Sequence, residues 1–292
     1  MKLVSIKIQG QRRIGVLQDN ERCKLVGLDF EAVPNDLDRL IQDENGMLAL
    51  REWLASGFEN AEDVSLSDPA VTVLAPVVAP QKVICIGTNY ADHAREMGGQ
   101  PAEIPVVFNV FPSAIVGTGQ AVVLPAISHQ VDFEAELVVV IGTAGRNIPR
   151  AEAMDHVFGY CNGNDISARD WQKGKPGGQW LLGKTFDTFA PLGPWIATAD
   201  EIKDPHVLDI QLRLNGEVMQ DSNTSELIFP IDFLISHLSK FVTLIPGDLV
   251  FTGTPAGVGA GRTPQVFLKP GDEIEVEIEG LGVLANPVLA AC

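Results

Sequence analysis

The chain has 292 residues, enough for one large domain or a main domain with a small companion, and its 46% hydrophobic and 20% charged content suits a globular protein with a sizeable core. With 38 acidic against 21 basic residues the net charge is −17, which argues against nucleic acid and membrane surfaces as partners but not against a small anion, since a pocket needs only one or two local cations. Cys23, Cys85, Cys161 and Cys292 are widely spaced and indicate neither a zinc site nor a disulfide framework; no apolar run reaches the ~18 residues of a membrane helix and the N-terminus lacks the apolar core of a signal peptide, so a reducing cytoplasm is the expected compartment.

The 28 glycines and 19 prolines sit mostly in short clusters between apolar runs, which predicts many strands joined by tight turns. In chain order, Val4, Ile6 and Ile8 alternate with polar residues as a strand that turns at Gly10 and returns through Ile14 and Val16. Two short helices are predicted next, one carrying Leu37, Leu40 and Ile41, the other Met47, Leu50 and Leu54. Pro76 and Pro80 favour extended backbone and mark a linker between a small N-terminal α+β domain, residues 1–75, and a main domain, residues 76–292. Beyond the linker the apolar runs are short and β-branched, at 83–86, 106–108, 121–124, 137–141, 208–214, 249–252 and 274–278. Pro246-Gly247-Asp248 and Pro270-Gly271-Asp272 read as turns, and Asn215-Gly216 as a hairpin. Two later helices are predicted, one near 150–158 and one from Pro230, where Ile231, Leu234, Ile235 and Leu238 share a face. Strands dominate and helices are not regularly interleaved, so the fold class is α+β rather than a doubly wound sheet.

The most informative stretch is Val131-Asp132-Phe133-Glu134-Ala135-Glu136-Leu137, which runs on through Val138, Val139 and Val140 to Ile141. As a strand it puts Phe133, Ala135, Leu137 and Val139 on one face and Glu134 and Glu136 on the other. Two carboxylates side by side at the head of an apolar strand repel each other and resist burial; a divalent cation between them removes both penalties. Oxygen ligands suit Mg²⁺, Mn²⁺ or Ca²⁺ rather than zinc. A solvated acidic face on an edge strand would carry the same sequence. Asp165, in the turn-rich Gly163-Asn164-Asp165-Ile166-Ser167-Ala168-Arg169 close after the helix expected to end near Tyr160, adds a third carboxylate beside a cation, and equally fits an Asx-type cap. His93 and Glu96 stand three apart and share a side if that stretch is helical, which lets a carboxylate orient a proton-accepting His.

Taken together, six ordered segments resemble the fumarylacetoacetate hydrolase family: Ile86-Gly87-Thr88-Asn89-Tyr90-Ala91-Asp92-His93, Pro112-Ser113-Ala114-Ile115-Val116-Gly117, residues 132–137, residues 164–172, Gly183-Lys184-Thr185-Phe186-Asp187, and Thr252-Gly253-Thr254-Pro255-Ala256-Gly257-Val258-Gly259. They span roughly residues 80 to 290. The resemblance implies a strand-dominated distorted β-roll with a few flanking helices and a small N-terminal domain, and a metal, Mg²⁺ or Mn²⁺ with Ca²⁺ also possible, held by Glu134, Glu136 and Asp165. It further implies catalytic roles for His93 and Glu96 on a mobile lid hinged at Gly98-Gly99, and for Lys184. Asn89, Tyr90, Arg169, Gln172 and Thr254 would contact the substrate, Gly253, Gly257 and Gly259 letting the chain approach it closely. One position departs from the family: many relatives carry a Lys where this chain has Val110, and its loss removes a cation from the neighbourhood of the pocket.

The function implied is a metal-dependent hydrolase or decarboxylase that cleaves a C–C bond in a 2-oxo or 1,3-diketo acid of acylpyruvate or oxaloacetate type, the metal stabilising the enolate. An isomerase or hydratase of aromatic catabolism, or a hydrolase of diketo-deoxy sugar acids, would use the same site. A non-catalytic metal-binding or ligand-binding protein is the reading from another class. The expected partners are a small anionic 2-oxo acid and a second copy of the chain in a homodimer.

Overall fold

The computed structural model describes every residue except 28–29, 59–60, 97 and 292. Alternation of apolar and polar residues makes β1 (Lys2–Ile8), which pairs antiparallel with β2 (Gln11–Leu17) across a Gln9–Gly10 turn where both residues have positive φ. β3 (Arg22–Leu25), α1 (Leu37–Leu40), α2 (Glu44–Ala55), β4 (Asp63–Ser65) and β5 (Val71–Val73) follow. Asp36 and Asp43 cap the two helices by accepting from Asp38 N and Gly46 N, and Leu37, Leu40 and Leu50 pack with Leu3, Ile14 and Val16.

After the linker come β6 (Val83–Gly87), α3 (Ala91–Glu96), β7 (Val106–Asn109), β8 (Ile115–Val116), β9 (Val122–Leu124), β10 (Val131–Asp132) and β11 (Ala135–Ile141). β12 (Val157–Asn164), β13 (Ser167–Ala168), α4 (Arg169–Gln172), α5 (Trp180–Lys184) and β14 (Ala190–Thr198) form the middle of the chain. β15 (Asp209–Leu214), β16 (Glu217–Asn223), α6 (Ile231–Leu238), β17 (Leu249–Phe251), β18 (Glu273–Ile278) and β19 (Gly282–Ala290) complete it. Among the described residues, twelve strands share one sheet in the order β4-β3-β2-β1-β14-β12-β11-β17-β6-β7, with β5 on β1 and β8 on β14; five form a second sheet, β16-β15-β18-β19-β9. The result is the strand-dominated α+β roll expected, with short helices at its flanks. β1 pairs with β14 through Lys2↔Ala197 and Leu3↔Ile196, so one sheet crosses the expected boundary at residue 75.

β11 lies inside the large sheet, bonded to β12 (Glu136↔Gly163) and to β17 (Val138↔Phe251), and all its residues are buried. Its alternation sends Ala135, Leu137, Val139 and Ile141 into the core shared with Ile210, Leu212 and Val276 of the second sheet. Val138 and Val140 enter another core with Val83, Cys85 and Phe251. Each buried valine, leucine or isoleucine of β11 contributes about 1.5–3 kcal/mol by burial. The strand that carries Glu136 is therefore clamped on both faces and both edges, and the solvated edge strand is excluded.

Two expectations are corrected. The helix expected over 150–158 is a 3₁₀ turn, Arg150–His156, and Val157 begins a strand. Ladder bonds to β11 on one side and β14 on the other decide the conformation of 157–164 over any helical tendency carried on from Ala151 to Met154. β14 itself is hidden in the sequence by Pro191 and Pro194, residues that normally argue against a central strand; its register with β12 is irregular between Tyr160 and Asn162. Cys23, Cys85 and Cys161 are buried free thiols, and Cys292 lies outside the described residues.

Candidate active site

Strand pairing and two short breaks in the strands bring the carboxylates together. Glu134 sits in the break between β10 and β11, where its N–H donates to Asn164 Oδ1 (2.9 Å) and its carbonyl accepts from Asp165 N (2.9 Å). Glu136 is the second residue of β11, and Asp165 follows the last residue of β12, so β-pairing of Ala135 with Asn164 sets the two segments side by side. One carboxylate oxygen from each of Glu134, Glu136 and Asp165 lies within 4.8 Å of the others, and all three residues are buried.

Two cations are built into the same cluster. Lys184, at the end of α5, donates to Glu134 Oε2 (2.7 Å) and Asp165 Oδ2 (2.6 Å). Arg169 donates from Nε to Asp132 Oδ2 (2.9 Å) and from Nη1 to Gln172 Oε1 (3.0 Å), and its Nη2 lies 2.7 Å from Glu134 Oε1 as an ion pair without hydrogen-bond alignment. Both cations expected to serve a substrate anion are thus engaged by the protein's own carboxylates. Burial raises the Glu134 carboxyl, but Lys184 and Arg169 outweigh it and hold the group down at about 2. Asp165 is pushed up to about 6 by burial, against the pull of Lys184. Burial, then Asp165 and Glu134, push Glu136 well above the ordinary carboxylate range.

The cluster fits a divalent cation on charge and on donor type. Four buried carboxylates, Asp132, Glu134, Glu136 and Asp165, face two buried cations, Arg169 and Lys184. Full ionisation leaves two negative charges, which one divalent ion neutralises, and oxygen donors alone suit Mg²⁺, Mn²⁺ or Ca²⁺. A cation on the three carboxylates would share Glu134 and Asp165 with Lys184.

Opposite the carboxylates, α3 presents the other expected pair. His93 is buried, with Nδ1 3.3 Å from Glu96 Oε2, and Glu96 Oε1 accepts from Gly257 N (2.9 Å). The carboxylate therefore fixes one ring nitrogen and leaves Nε2 available. The Gly98-Gly99 segment adjoins Met97, which lies outside the described residues. A narrow cleft of ≈ 50 Å³ is walled by His93, Glu134, Glu136, Gln172, Lys184 and Thr254, with the edge-to-face rings of Phe108 and Trp180 (centroids 5.2 Å apart) beside them. A larger groove, ≈ 620 Å³, runs along Phe111, Leu238 and Phe241, and none of the carboxylates lines it.

Several expected contacts fall elsewhere. Asn89 is spent on the backbone, donating to Thr252 O and Phe229 O and accepting from Phe229 N, and neither it nor the fully buried Tyr90 lines the cleft. Their place in the fold is the junction of β6, α3 and the 227–229 segment, where the buried Tyr90 hydroxyl has no hydrogen-bond partner among the described residues. The N–H groups of the glycine-rich turn bond the protein's own carboxylates: Gly253 N donates to Glu136 Oε2 (2.7 Å), and Gly259 N and Ala260 N donate to Asp132 (2.7 and 3.0 Å). A side chain at Gly259 would run into the Val266 carbonyl, so glycine is required there. Val110 packs in the second core and lines the large apolar groove, not the cleft, so a missing Lys at that position does not bear on the cleft. Two further residues matter that the sequence reading passed over. Asp132 anchors Arg169 and shares the period-two parity of Glu134 and Glu136, a signal that was available. Gln220 accepts from Ala135 N (2.9 Å) and donates to Thr254 Oγ1 (2.8 Å), joining segments 34 and 85 residues from it, and nothing local announces it.

Residues 82–289 match the family model for the C-terminal domain of fumarylacetoacetate (FAA) hydrolase. A mitochondrial oxaloacetate tautomerase of Bos taurus is 55% identical over 219 residues, 75% of this chain and 70% of that protein. Its counterpart in Xenopus laevis is 47% identical over 273 residues, 90% of this chain and 86% of that protein. Both names place those relatives in mitochondria, where the sequence suggested the cytoplasm for this chain; no described helix is long and apolar enough to cross a membrane. Among solved structures, fumarylacetoacetate hydrolase from Exiguobacterium antarcticum superposes with a TM-score of 0.84 at 37% identity, and maleylpyruvate hydrolase from Sphingobium sp. SYK-6 in complex with manganese(II) and pyruvate with 0.82 at 31%, each over the full length of both chains. The chain belongs to the fumarylacetoacetate hydrolase family.

Proposed function

We propose that the protein is a divalent-metal-dependent enzyme of 2-oxo acids whose reaction is the keto–enol tautomerisation of oxaloacetate. The observation that carries this is the buried triad of Glu134, Glu136 and Asp165, of which Glu134 and Glu136 line one cleft together with a His93 held by Glu96. Sequence alone ranked C–C hydrolysis or decarboxylation first and isomerisation second. Oxaloacetate tautomerases at 47–55% identity support placing isomerisation first here.

A bound Mg²⁺ or Mn²⁺ would supply Lewis-acid stabilisation of the charge that grows on the 2-oxo oxygen as a C3 proton leaves. His93 moves that proton: with Nδ1 turned to Glu96, Nε2 takes it from C3 and delivers it to the 2-oxo oxygen to give the enol, and the reverse transfer, from enol oxygen to C3, gives the keto form. Lys184, fixed between Glu134 and Asp165, keeps positive charge beside the reacting oxygen, and Phe108 and Trp180 keep the surroundings poor in water. Thr254, whose hydroxyl accepts from Gln220, still has its own proton to give to a substrate carboxylate, and Gln172 offers its amide N–H groups.

C–C cleavage is the second reading, favoured by the maleylpyruvate hydrolase solved with manganese and pyruvate; His93 would then activate water. A panel of enol oxaloacetate, acetylpyruvate and fumarylpyruvate, each with Mg²⁺ or Mn²⁺, separates the two. Oxaloacetate tautomerisation should exceed any cleavage by at least about tenfold in kcat/KM, a margin of ~1.4 kcal/mol in transition-state binding. Faster cleavage would establish the second reading, and absence of all three activities would leave a ligand-binding protein.

A further inference from the structure

We propose that Lys173 determines substrate specificity by receiving the distal carboxylate of a dicarboxylic 2-oxo acid whose 2-oxo end lies at Glu134, Glu136 and Asp165. The inference rests on the 2-oxo acid reading above and names the substrate class within it.

Space is the first ground. The carboxylate cleft offers ≈ 50 Å³, where ligand pockets usually run to about 300–1,000 Å³. A second, open pocket of ≈ 590 Å³ adjoins it, and Arg169 and Lys173 line both. A substrate whose reacting end fills the cleft extends past Lys173 into that pocket.

Charge is the second ground. In a chain of net charge −17, Arg169, Lys173 and Lys175 all line this pocket. Arg169 is committed to Asp132 and Glu134, and Lys175 lies 4.8 Å from the Trp171 ring centroid. Asp170, the carboxylate on this wall among the described residues, already accepts from Ser128 Oγ (2.6 Å) and His129 N (3.1 Å). Lys173 forms no ion pair among the described residues. Desolvation by its neighbours and the Arg169 charge weaken the hold of the exposed Lys173 on a proton, and an anion beside it would offset both.

Position is the third. Lys173 closes α4, its N–H bonded to Arg169 O (3.0 Å), directly after the cleft residue Gln172. The backbone beneath the ammonium is thus tied to the site, while the side chain remains free to reach the ligand.

Malate and lactate test the idea without turnover, because they share a 2-hydroxy acid head and differ in the distal carboxylate. Calorimetry on Mn²⁺-loaded wild type should show malate bound at least about tenfold tighter than lactate, as expected for one charge-assisted contact. Lys173→Met should abolish that preference with lactate affinity kept, Lys173→Arg should retain it, and Lys173→Met should raise KM for oxaloacetate about tenfold with kcat little changed. A wild type without preference for malate, or a Lys173→Met variant that keeps it or weakens both ligands alike, overturns the proposal. If the wild type turns over no 2-oxo acid yet prefers malate through Lys173, the functional reading falls and the subsite stands; tautomerase activity without the preference gives the reverse.

Discussion

Replacing Glu136 by Gln separates its role as a metal ligand from its role in the fold. Without a cation, burial together with Asp165 and Glu134 favours the protonated form of Glu136, so a neutral side chain of the same shape replaces it nearly in kind. The Gln carbonyl can still accept from Gly253 N, 2.7 Å from the carboxylate in the wild type. Metal-free Glu136→Gln should therefore unfold within about 1 kcal/mol of the wild type. Cation binding is another matter, because it requires the ionised ligand. At a metal concentration a hundred times the wild-type Kd, binding stabilises by about 2.7 kcal/mol. At about 2–4 °C per kcal/mol that raises Tm by about 5–11 °C. A variant bound about a hundredfold more weakly gains about 0.4 kcal/mol and rises by about 1 °C. Thermal unfolding of both proteins at pH 7.5, first in EDTA and then in MnCl₂, reads all four states. A variant with the full wild-type shift, or one that loses several kcal/mol in EDTA, would refute the reasoning.

The raised Glu136 pKa carries a sign. In EDTA the native state keeps a proton that the unfolded chain releases, so stability falls as pH rises above the unfolded carboxylate value and levels off once the folded value is passed. Urea titrations from pH 5 to 8 should show this downward component in the wild type and its loss in Glu136→Gln; identical slopes contradict it. Since a cation must displace that proton, Mn²⁺ affinity should rise with pH above the Asp165 value of about 6, by about tenfold per unit until Glu136 ionises. Asp132→Ala deprives buried Arg169 of its Nε partner and strips acceptors from Phe133, Gly259 and Ala260 N–H groups. It should cost about 3–5 kcal/mol in urea unfolding, and a loss below about 1 kcal/mol would contradict the role given to it. His93→Gln should keep Mn²⁺ affinity within about threefold and lose at least about a hundredfold in kcat. Wild-type turnover in that variant would remove His93 from the mechanism.

What the sequence made legible was periodic or local. Period two placed Glu134 and Glu136 together, and the structure brings their carboxylates into one cluster at the start of β11. Helical spacing paired His93 with Glu96, and Asn215-Gly216 turns between β15 and β16. What it hid was the destination of buried polar groups. Asn89 and the turn at 253–260 carry side chains and N–H groups suited to a ligand, but their partners are the backbone at Phe229 and Thr252 and the carboxylates of Glu136 and Asp132. Those partners lie more than a hundred residues away and become neighbours only when β17 docks beside β11. β12 and β14 were obscured for a related reason, since both owe their conformation to flanking strands more than to composition.

A cation held by Glu134, Glu136 and Asp165 is central to the proposed reaction. The direct test is the rate at which chelator-stripped protein tautomerises oxaloacetate, followed by the ultraviolet absorbance of the enol, during titration with Mn²⁺. Activity should be at least about a hundredfold below the loaded rate in the stripped protein and should saturate at one equivalent of metal per chain. Full activity in the stripped protein, with no response to added metal, would contradict it.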